Sequence, residues 1–394
     1  MIRVLFLNSH PIQYFAPLYQ EISRRDGFAL KVFYCSKHGL EGEKDEEFGV
    51  EVKWDLPLLA GYMHEFLKNH SPKPSIYGFA GLINLGLIVR LWKESKSILV
   101  VHGWGYVSNL LAIFFGKMAG HVVCLRGESP ASHEHIRPAS GLRHFFLKKI
   151  LFRFVDYFLY IGQENRAFYR MYGVPEDRLI FAPYSVDNQR FLKNFEMLYP
   201  KREQLKKALG LPPGKRIVLF SGKYIDKKRP LDLLHAFARS RQQESACLVF
   251  MGDGALRGEM ERFIRTQKLE NVVLTGFVNQ SKVVEYYAVT DIFVMCSQEG
   301  ETWGLSANEA MNFRLPLLLS NLTGSSADLI VPAENGWVFK TGDVEALAEK
   351  LDTLLSLPSE ELSRMGEVSQ KRVQQYSFQQ IVEGLETVHA SSLS

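Results

Sequence analysis

The chain has 394 residues, 46% of them hydrophobic and 23% charged, enough to bury two substantial cores and too apolar for disorder or a fibrous repeat. Its formal charge of +4 is small for that length, and acids and bases are interspersed, so no nucleic-acid partner follows. Cys35, Cys124, Cys247 and Cys296 stand singly in strand-like runs, which reads as buried reduced thiols in a cytoplasmic protein rather than a disulfide framework.

The opening MIRVLFLNSH reads as a β-strand, its apolar core being too short for a signal peptide. A helix follows near 17–25, then the strand LKVFYC. The acidic run EGEKDEE at 41–47 reads as a solvated loop. The longest stretch free of Asp, Glu, Lys, Arg and His, 74–89, is shorter than the roughly 20 residues a spanning helix needs, and three glycines and an asparagine interrupt it. No transmembrane segment is expected. SILVVHG, NLLAIFFGKMAG and HVVCLRG continue the strand and helix alternation of a parallel sheet covered on both faces.

Residues 137–155 hold Arg and Lys but no acid until Asp156, interleaved with Phe and Leu. Two readings stand: a core helix with solvated basic positions, or peripheral docking on the inner face of a membrane. After a polar stretch, RIVLFSG, PLDLLHAFARS, CLVFMGDG, GALRGEMERFIRTQKL, VVLTGF and DIFVMCS repeat the alternation. The predicted class is therefore α/β, with two doubly wound, Rossmann-like domains at 1–188 and 189–375. A last helix at 378–388 follows the completed second sheet, which allows it to cross back onto the first domain.

Ligands of open α/β sheets bind beyond the carboxyl ends of the strands, so residues directly after strands carry the functional expectation. In SQEGETWGLSANEAM, Glu301 and Glu309 flank a glycine turn, and Ser306-x-x-Glu309 has the spacing of a capping box. A helix is predicted from Ala307, with amide groups of 302–305 pointing into a crevice suited to a phosphate. Glu309 is read either as a cap or as a ligand contact; Glu301 is required by no capping rule, and Glu299 reads as solvated. After RIVLFSG, GKYIDKKRP places Lys223 and Lys228 at a second strand end, with Lys227 and Arg229 read as solvated.

GKYIDKKRPLDLLHAFA, VFMGDGALRGEMERF and the stretch from VVLTGF to SANEAM together resemble the donor domain of retaining family 4 glycosyltransferases of the GT-B fold. The resemblance implies two domains facing across a cleft, with Glu301 near the donor sugar hydroxyls and Glu309 near the ribose of a UDP- or GDP-sugar. It places Lys228 on the diphosphate and puts Lys223 where the family has an arginine, which keeps the charge and loses the planar fork. The nucleoside base is expected on the backbone of Gly276, Phe277 and Val278, and Gly222, Thr302, Trp303, Gly304 and Leu305 complete the donor side.

On the acceptor side the resemblance draws in His10, Gln13, Trp104 and Glu128, with His102 and Arg126 beside Glu301 and Lys228 as the catalytic group. HPIQYFAPLY resembles a subset associated with surface polysaccharide assembly, which implies a saccharide or lipid-linked saccharide acceptor. No D-x-D occurs, so cations rather than a metal are expected to hold the diphosphate, and no cofactor is expected. Retention with a donor phosphate oxygen taking the acceptor proton is implied by the family.

A glycosidase would need its two acids about 5 to 5.5 Å or about 6.5 to 9.5 Å apart, whereas a helical 301–309 would separate them by about 12 Å along the axis. The lysine loop argues against hydrolysis more firmly. A sugar-nucleotide epimerase or hydrolase, or a non-catalytic binding subunit, remains as an alternative. A nicotinamide oxidoreductase is disfavoured because neither half has G-x-G-x-x-G after its first strand.

Overall fold

The computed structural model describes residues 1–40, 43–44, 51–52, 54–136 and 141–393. Most of the expected acidic loop at 41–47 therefore lies outside the described residues, as do 137–140 of the basic segment; Glu43–Lys44 is a two-residue strand.

The chain forms two compact units, Met1–Glu43 with Leu56–Tyr184 and Ser377–Ser394, and Lys44–Asp55 with Ser185–Tyr376. The division falls between Tyr184 and Ser185, four positions before the expected boundary at 188. Asp55 joins the second unit because its carboxylate accepts from the Ser281 amide (3.1 and 3.2 Å), while Trp54 meets the Phe277 ring edge-on. That attachment depends on partners more than 200 positions away and is invisible locally.

In unit one, β1 (Ile2–Asn8), β2 (Phe28–Tyr34), β3 (Met63–Phe66), β4 (Ile98–His102), β5 (Val122–Arg126), β6 (Tyr157–Tyr160) and β7 (Leu179–Phe181) form a parallel sheet in the order β3-β2-β1-β4-β5-β6-β7. Strand β3 has no counterpart among the expected elements: MHEF lacks an apolar run, since its burial is only partial. The interior strands are continuous apolar runs because helices cover both faces. Leu5, Leu7, Leu99, Val101, Val123, Leu125 and Phe158 make the core on one face. Trimming any one of these to alanine costs about 2–5 kcal/mol.

The final helix, Phe378–Ser391, begins at Ser377, whose side chain accepts from the Gln380 amide. It buries Ile381, Val382, Leu385 and Val388 and packs on β7. Gly384 permits the approach, since a Cβ there would lie 2.8 Å from the Phe181 carbonyl oxygen.

The basic segment is three short turns of different pitch, Gly141–Phe145, Phe146–Ile150 and Leu151–Phe154, instead of one regular helix. Leu147, Leu151 and Phe152 go inward, leaving Leu142 at 79% and Phe145 at 55% exposure.

In unit two, β8 (Arg216–Ser221), β9 (Ala246–Met251), β10 (Val272–Leu274), β11 (Ile292–Met295), β12 (Leu317–Ser320) and β13 (Gly336–Phe339) are also parallel, in the order β10-β9-β8-β11-β12-β13. Strand order reverses between β8 and β11 here, and between β1 and β4 in unit one. Such switch points are where open sheets leave a crevice at the carboxyl ends of their strands.

Candidate functional site

The loop after β8 is fixed to its neighbour before any ligand arrives. The Gly222 amide donates to Met251, the Tyr224 amide donates to Asp253 (2.8 Å), and the buried Tyr224 hydroxyl donates to the Phe250 carbonyl (2.7 Å). A short turn, Asp226–Lys228, then ends at Arg229 in the left-handed region, φ 48°. Arg229 is not the solvated residue its neighbours suggest, because its guanidinium donates to both Asp232 oxygens and to Gln298 Oε1 (2.9 Å). Together with the Gln298 amide bonded to the Lys227 carbonyl (2.9 Å), it ties the β8 loop to the β11 loop.

The two loops meet in one ion pair. Lys228 Nζ donates to Glu301 Oε2, which also accepts from the Ser297 hydroxyl at 3.2 Å. Glu301 is 8% exposed. Burial by itself raises its carboxyl, but the charge and hydrogen bond of Lys228, with Lys227 and Ser297 behind them, outweigh it and hold the group below the usual carboxylate range. Lys227, expected to be merely solvated, thus contributes its field.

The turn carrying Glu301 is clamped from the β12 side: the Gly324 amide donates to Glu301 (3.1 Å) and the Ser325 amide to Trp303 (3.2 Å). Only glycine fits at 324, because a Cβ would stand 2.0 Å from the Thr302 carbonyl oxygen. Gly304, at φ 94°, ends the turn and is the N-cap of the helix Leu305–Asn312, so the helix begins two residues before the expected Ala307. The expected capping box is absent. Ser306 instead donates to the Ser221 carbonyl (3.3 Å), and Glu309, 2% exposed, accepts from Tyr287 (2.7 Å) and Gln280 (3.5 Å). The local spacing suits a cap, but two buried donors from other elements hold the carboxylate elsewhere.

Two further donor-side residues already have partners within the unit. The Trp303 indole is buried, donates to Asn308 (2.8 Å) and packs on Tyr376, so it is committed to the core. The Gly276 carbonyl accepts from the Gly252 amide (3.1 Å) and the Thr275 hydroxyl (2.7 Å), leaving it no open lone pair for a base. Phe277 and Val278 are half-buried beside it, and Lys223, Thr302 and Leu305 are half-buried in their loops.

At the switch point of unit one, His10 follows β1 and His102 ends β4. The His10 ring lies 2.9 Å from the Ser9 hydroxyl and edge-on to His38, and burial followed by the His38 charge lowers it to about 4. Gln13 is half-buried in the same loop. His102 faces Arg126 across the β4/β5 register and packs against Phe15 (ring centroids 4.5 Å). Burial, then the Arg126 charge, keeps the His102 imidazole well below its ordinary value, so it is neutral at pH 7.

Arg126 is 2% exposed, lies over the Tyr184 ring at 4.5 Å and donates to the Pro183 carbonyl (3.1 Å). Glu128 accepts from the Tyr184 hydroxyl. Trp104 is packed on Phe168 and Phe152 and so belongs to the core margin rather than to an open face. Among the described residues no cluster of three or more His, Cys, Asp or Glu could hold a metal.

Residues 201–372 match the family described as "Glycosyl transferases group 1". The N-acetyl-alpha-D-glucosaminyl L-malate synthase of Bacillus anthracis is 29% identical over 198 residues, 49% of this chain and 51% of that protein. The sulfoquinovosyl transferase SQD2 of Arabidopsis thaliana is 30% identical over 169 residues, 42% of this chain and 31% of that one. The chain thus spans about half the length, or less, of these curated relatives. A crystal structure of Anabaena Alr3699/HepE in complex with UDP superposes with a TM-score of 0.75 at 15% identity, over 99% of this chain and 100% of that one. The fold is GT-B.

Within this GT-B chain the family match contains Lys228, Glu301 and Glu309 and excludes His10, His102 and Arg126. Ser297, Gln298, Tyr287 and Gln280 belong to the site without having been singled out by sequence, and Arg229 was read from sequence only as solvated. Ser297 and Gln298 directly follow a strand and could have been found by position; Tyr287 and Gln280 carry no local signal at all.

Proposed function

We propose that the protein is a retaining family 4 glycosyltransferase that moves a sugar from a UDP- or GDP-sugar to a saccharide or lipid-linked saccharide acceptor in cell-surface polysaccharide or glycoconjugate synthesis. The single observation that carries this reading is the part-buried Lys228 and Glu301 pair at the switch point of the matched unit. Lys228 can exchange its carboxylate partner for a donor phosphate, with Lys223 and the amide end of the helix Leu305–Asn312 adding positive potential. Charge developing on the nucleoside diphosphate is then stabilised by side chains and amides rather than by a metal.

Glu301, released by Lys228, offers its carboxylate to the hydroxyls of the transferred sugar, and Glu309, held by Tyr287 and Gln280, is read as lying on the ribose side. Neutral His102 can accept or donate a hydrogen bond at a sugar hydroxyl, and Arg126 completes the catalytic group. His10, Gln13 and Glu128 are read as acceptor contacts. HepE is crystallised in complex with UDP, which supports UDP over GDP as the first donor to try. The exposed Leu142 and Phe145 beside Lys148 and Lys149 support peripheral membrane contact. Incubation with UDP- and GDP-sugars, with and without saccharide acceptors, tests the reading: transfer products support it. Donor consumption without acceptor marks an epimerase or hydrolase, and binding without turnover a binding subunit.

A further inference from the structure

Unit one holds a buried cation, two of whose nitrogens have no hydrogen-bond partner among the described residues. Arg126 Nη2 donates to the Pro183 carbonyl at 3.1 Å and the guanidinium also meets the Tyr184 side chain, but Nε and Nη1 are buried without a hydrogen-bond partner. No carboxylate makes an ion pair with it among the described residues, and its nearest ring neighbours are Tyr184 and Phe15, at 4.5 and 5.4 Å. Across the register, both ring nitrogens of His102 are likewise buried and unpartnered. The rings of Phe15 and Phe6 screen that imidazole from water on their side.

An uncompensated buried guanidinium is among the most expensive arrangements a fold can retain. Buried polar groups in native structures are nearly always satisfied, so an exception calls for an explanation, and a partner that arrives later is one. Two adjacent exceptions, one charged and one neutral, at the carboxyl ends of neighbouring parallel strands define a recognition pattern: one anionic group for Arg126 and a hydroxyl-bearing carbon frame for His102. A neutral sugar satisfies only the second half.

We infer that the acceptor is an acidic saccharide, carrying a carboxylate or a phosphate that Arg126 binds while His102 engages a hydroxyl of the same sugar ring. Calling this ligand an acceptor rests on the glycosyltransferase reading, but the site's preference for an anion is a property of unit one and can be read without turnover. The shared chemistry is a sugar-borne anion; a uronic acid and a sugar phosphate are its two sources.

The test is thermal stabilisation of the full chain by glucuronic acid, glucose 6-phosphate and glucose, alone and with saturating UDP, in wild type, Arg126→Met and Arg126→Lys. The expected result is that at least one acidic sugar binds about tenfold more tightly than glucose. The preference vanishes in Arg126→Met and survives in Arg126→Lys, and UDP binding is unchanged in both variants. Which acid wins separates the carboxylate from the phosphate source. Equal affinity for acidic and neutral sugars in wild type overturns the inference, and so does a loss of UDP binding in Arg126→Met, which would assign the guanidinium to the donor diphosphate.

Unliganded Arg126→Met should melt no lower than wild type, because the variant removes a buried unpaired charge. A large drop would make Arg126 a structural residue and overturn the inference as well. If UDP binds and acidic sugars show no preference, the inference alone fails. If no nucleotide binds while the acid preference stands, the glycosyltransferase reading fails instead.

Discussion

Lys228 and Glu301, 73 positions apart, share a part-buried hydrogen-bonded ion pair that joins the loops of two adjacent parallel strands. Each side chain orients the other, at the place where the proposed sugar nucleotide would bind. Removing one therefore disturbs both the unliganded fold and the proposed chemistry, in separable ways.

Lys228→Ala should lower kcat/KM for sugar transfer by at least about 10²-fold, the scale of losing a charge-stabilising group. It should also leave a folded protein, less stable by something below the about 3–5 kcal/mol of a fully buried broken pair, since both side chains keep some solvent contact. Steady-state kinetics with circular dichroism and urea melts read both effects. Full activity would remove Lys228 from the phosphate site.

Glu301→Gln retains the shape and the Ser297 contact but frees Lys228. The variant is expected to bind UDP as well as wild type or better in calorimetry, while kcat falls about 10²-fold. Weaker UDP binding with unchanged kcat would show that the carboxylate serves only to orient the lysine.

Tyr287→Phe deletes the 2.7 Å hydrogen bond to Glu309 and leaves a buried carboxylate short of a donor. A loss of about 1–3 kcal/mol in chemical denaturation is expected. Ser306→Ala, which would remove the cap expected from sequence, should cost under about 1 kcal/mol, because Ser306 caps nothing.

The folded-state value of His10 lies at about 4, below the 6.5 of an ordinary histidine. Between those values the unfolded chain takes up the proton and the folded chain does not. Its contribution is therefore fully present above pH 6.5 and is lost as pH falls through that window, by at most about 1.4 kcal/mol per unit. The depressed Glu301 carboxyl acts in the same direction, its contribution being lost as pH falls below the carboxylate range. Melting temperatures from pH 7 to 4 should decline in wild type and less steeply in His10→Gln; parallel profiles would count against a buried neutral His10.

Sedimentation with anionic vesicles should carry the protein into the pellet at low salt and less so at roughly 0.5 M, a condition under which surface attraction is screened to a few ångströms, about 4 Å. Phe145→Glu should weaken the association. Absence from the pellet at any salt would rule out docking through 141–150.

The two parallel sheets were legible because strands covered on both faces must be continuous apolar runs, and FVMC or VVCL can hardly be anything else. MHEF was not, since an edge strand is held by backbone bonds to one neighbour and needs no such run. The basic segment was legible only in outline: its composition is plain, but three changes of helical pitch follow from which of its apolar residues the core accepts.

Sequence alone determined the α/β architecture, the strand ends on which Lys228, Glu301, His102 and Arg126 stand, and the glycine at 304 that ends the turn carrying a carboxylate. Those features are local, set by periodicity and by the steric demands of individual positions. Tertiary structure alone decided which polar groups are already spent. It gave Glu309 to Tyr287 and Gln280, sent Trp303 inward, made Arg229 a tie between loops, and left two Arg126 nitrogens without a hydrogen-bond partner among the described residues. The pairing of buried polar groups is a matter of which distant segments are brought within about 3 Å of one another, and no local pattern encodes that.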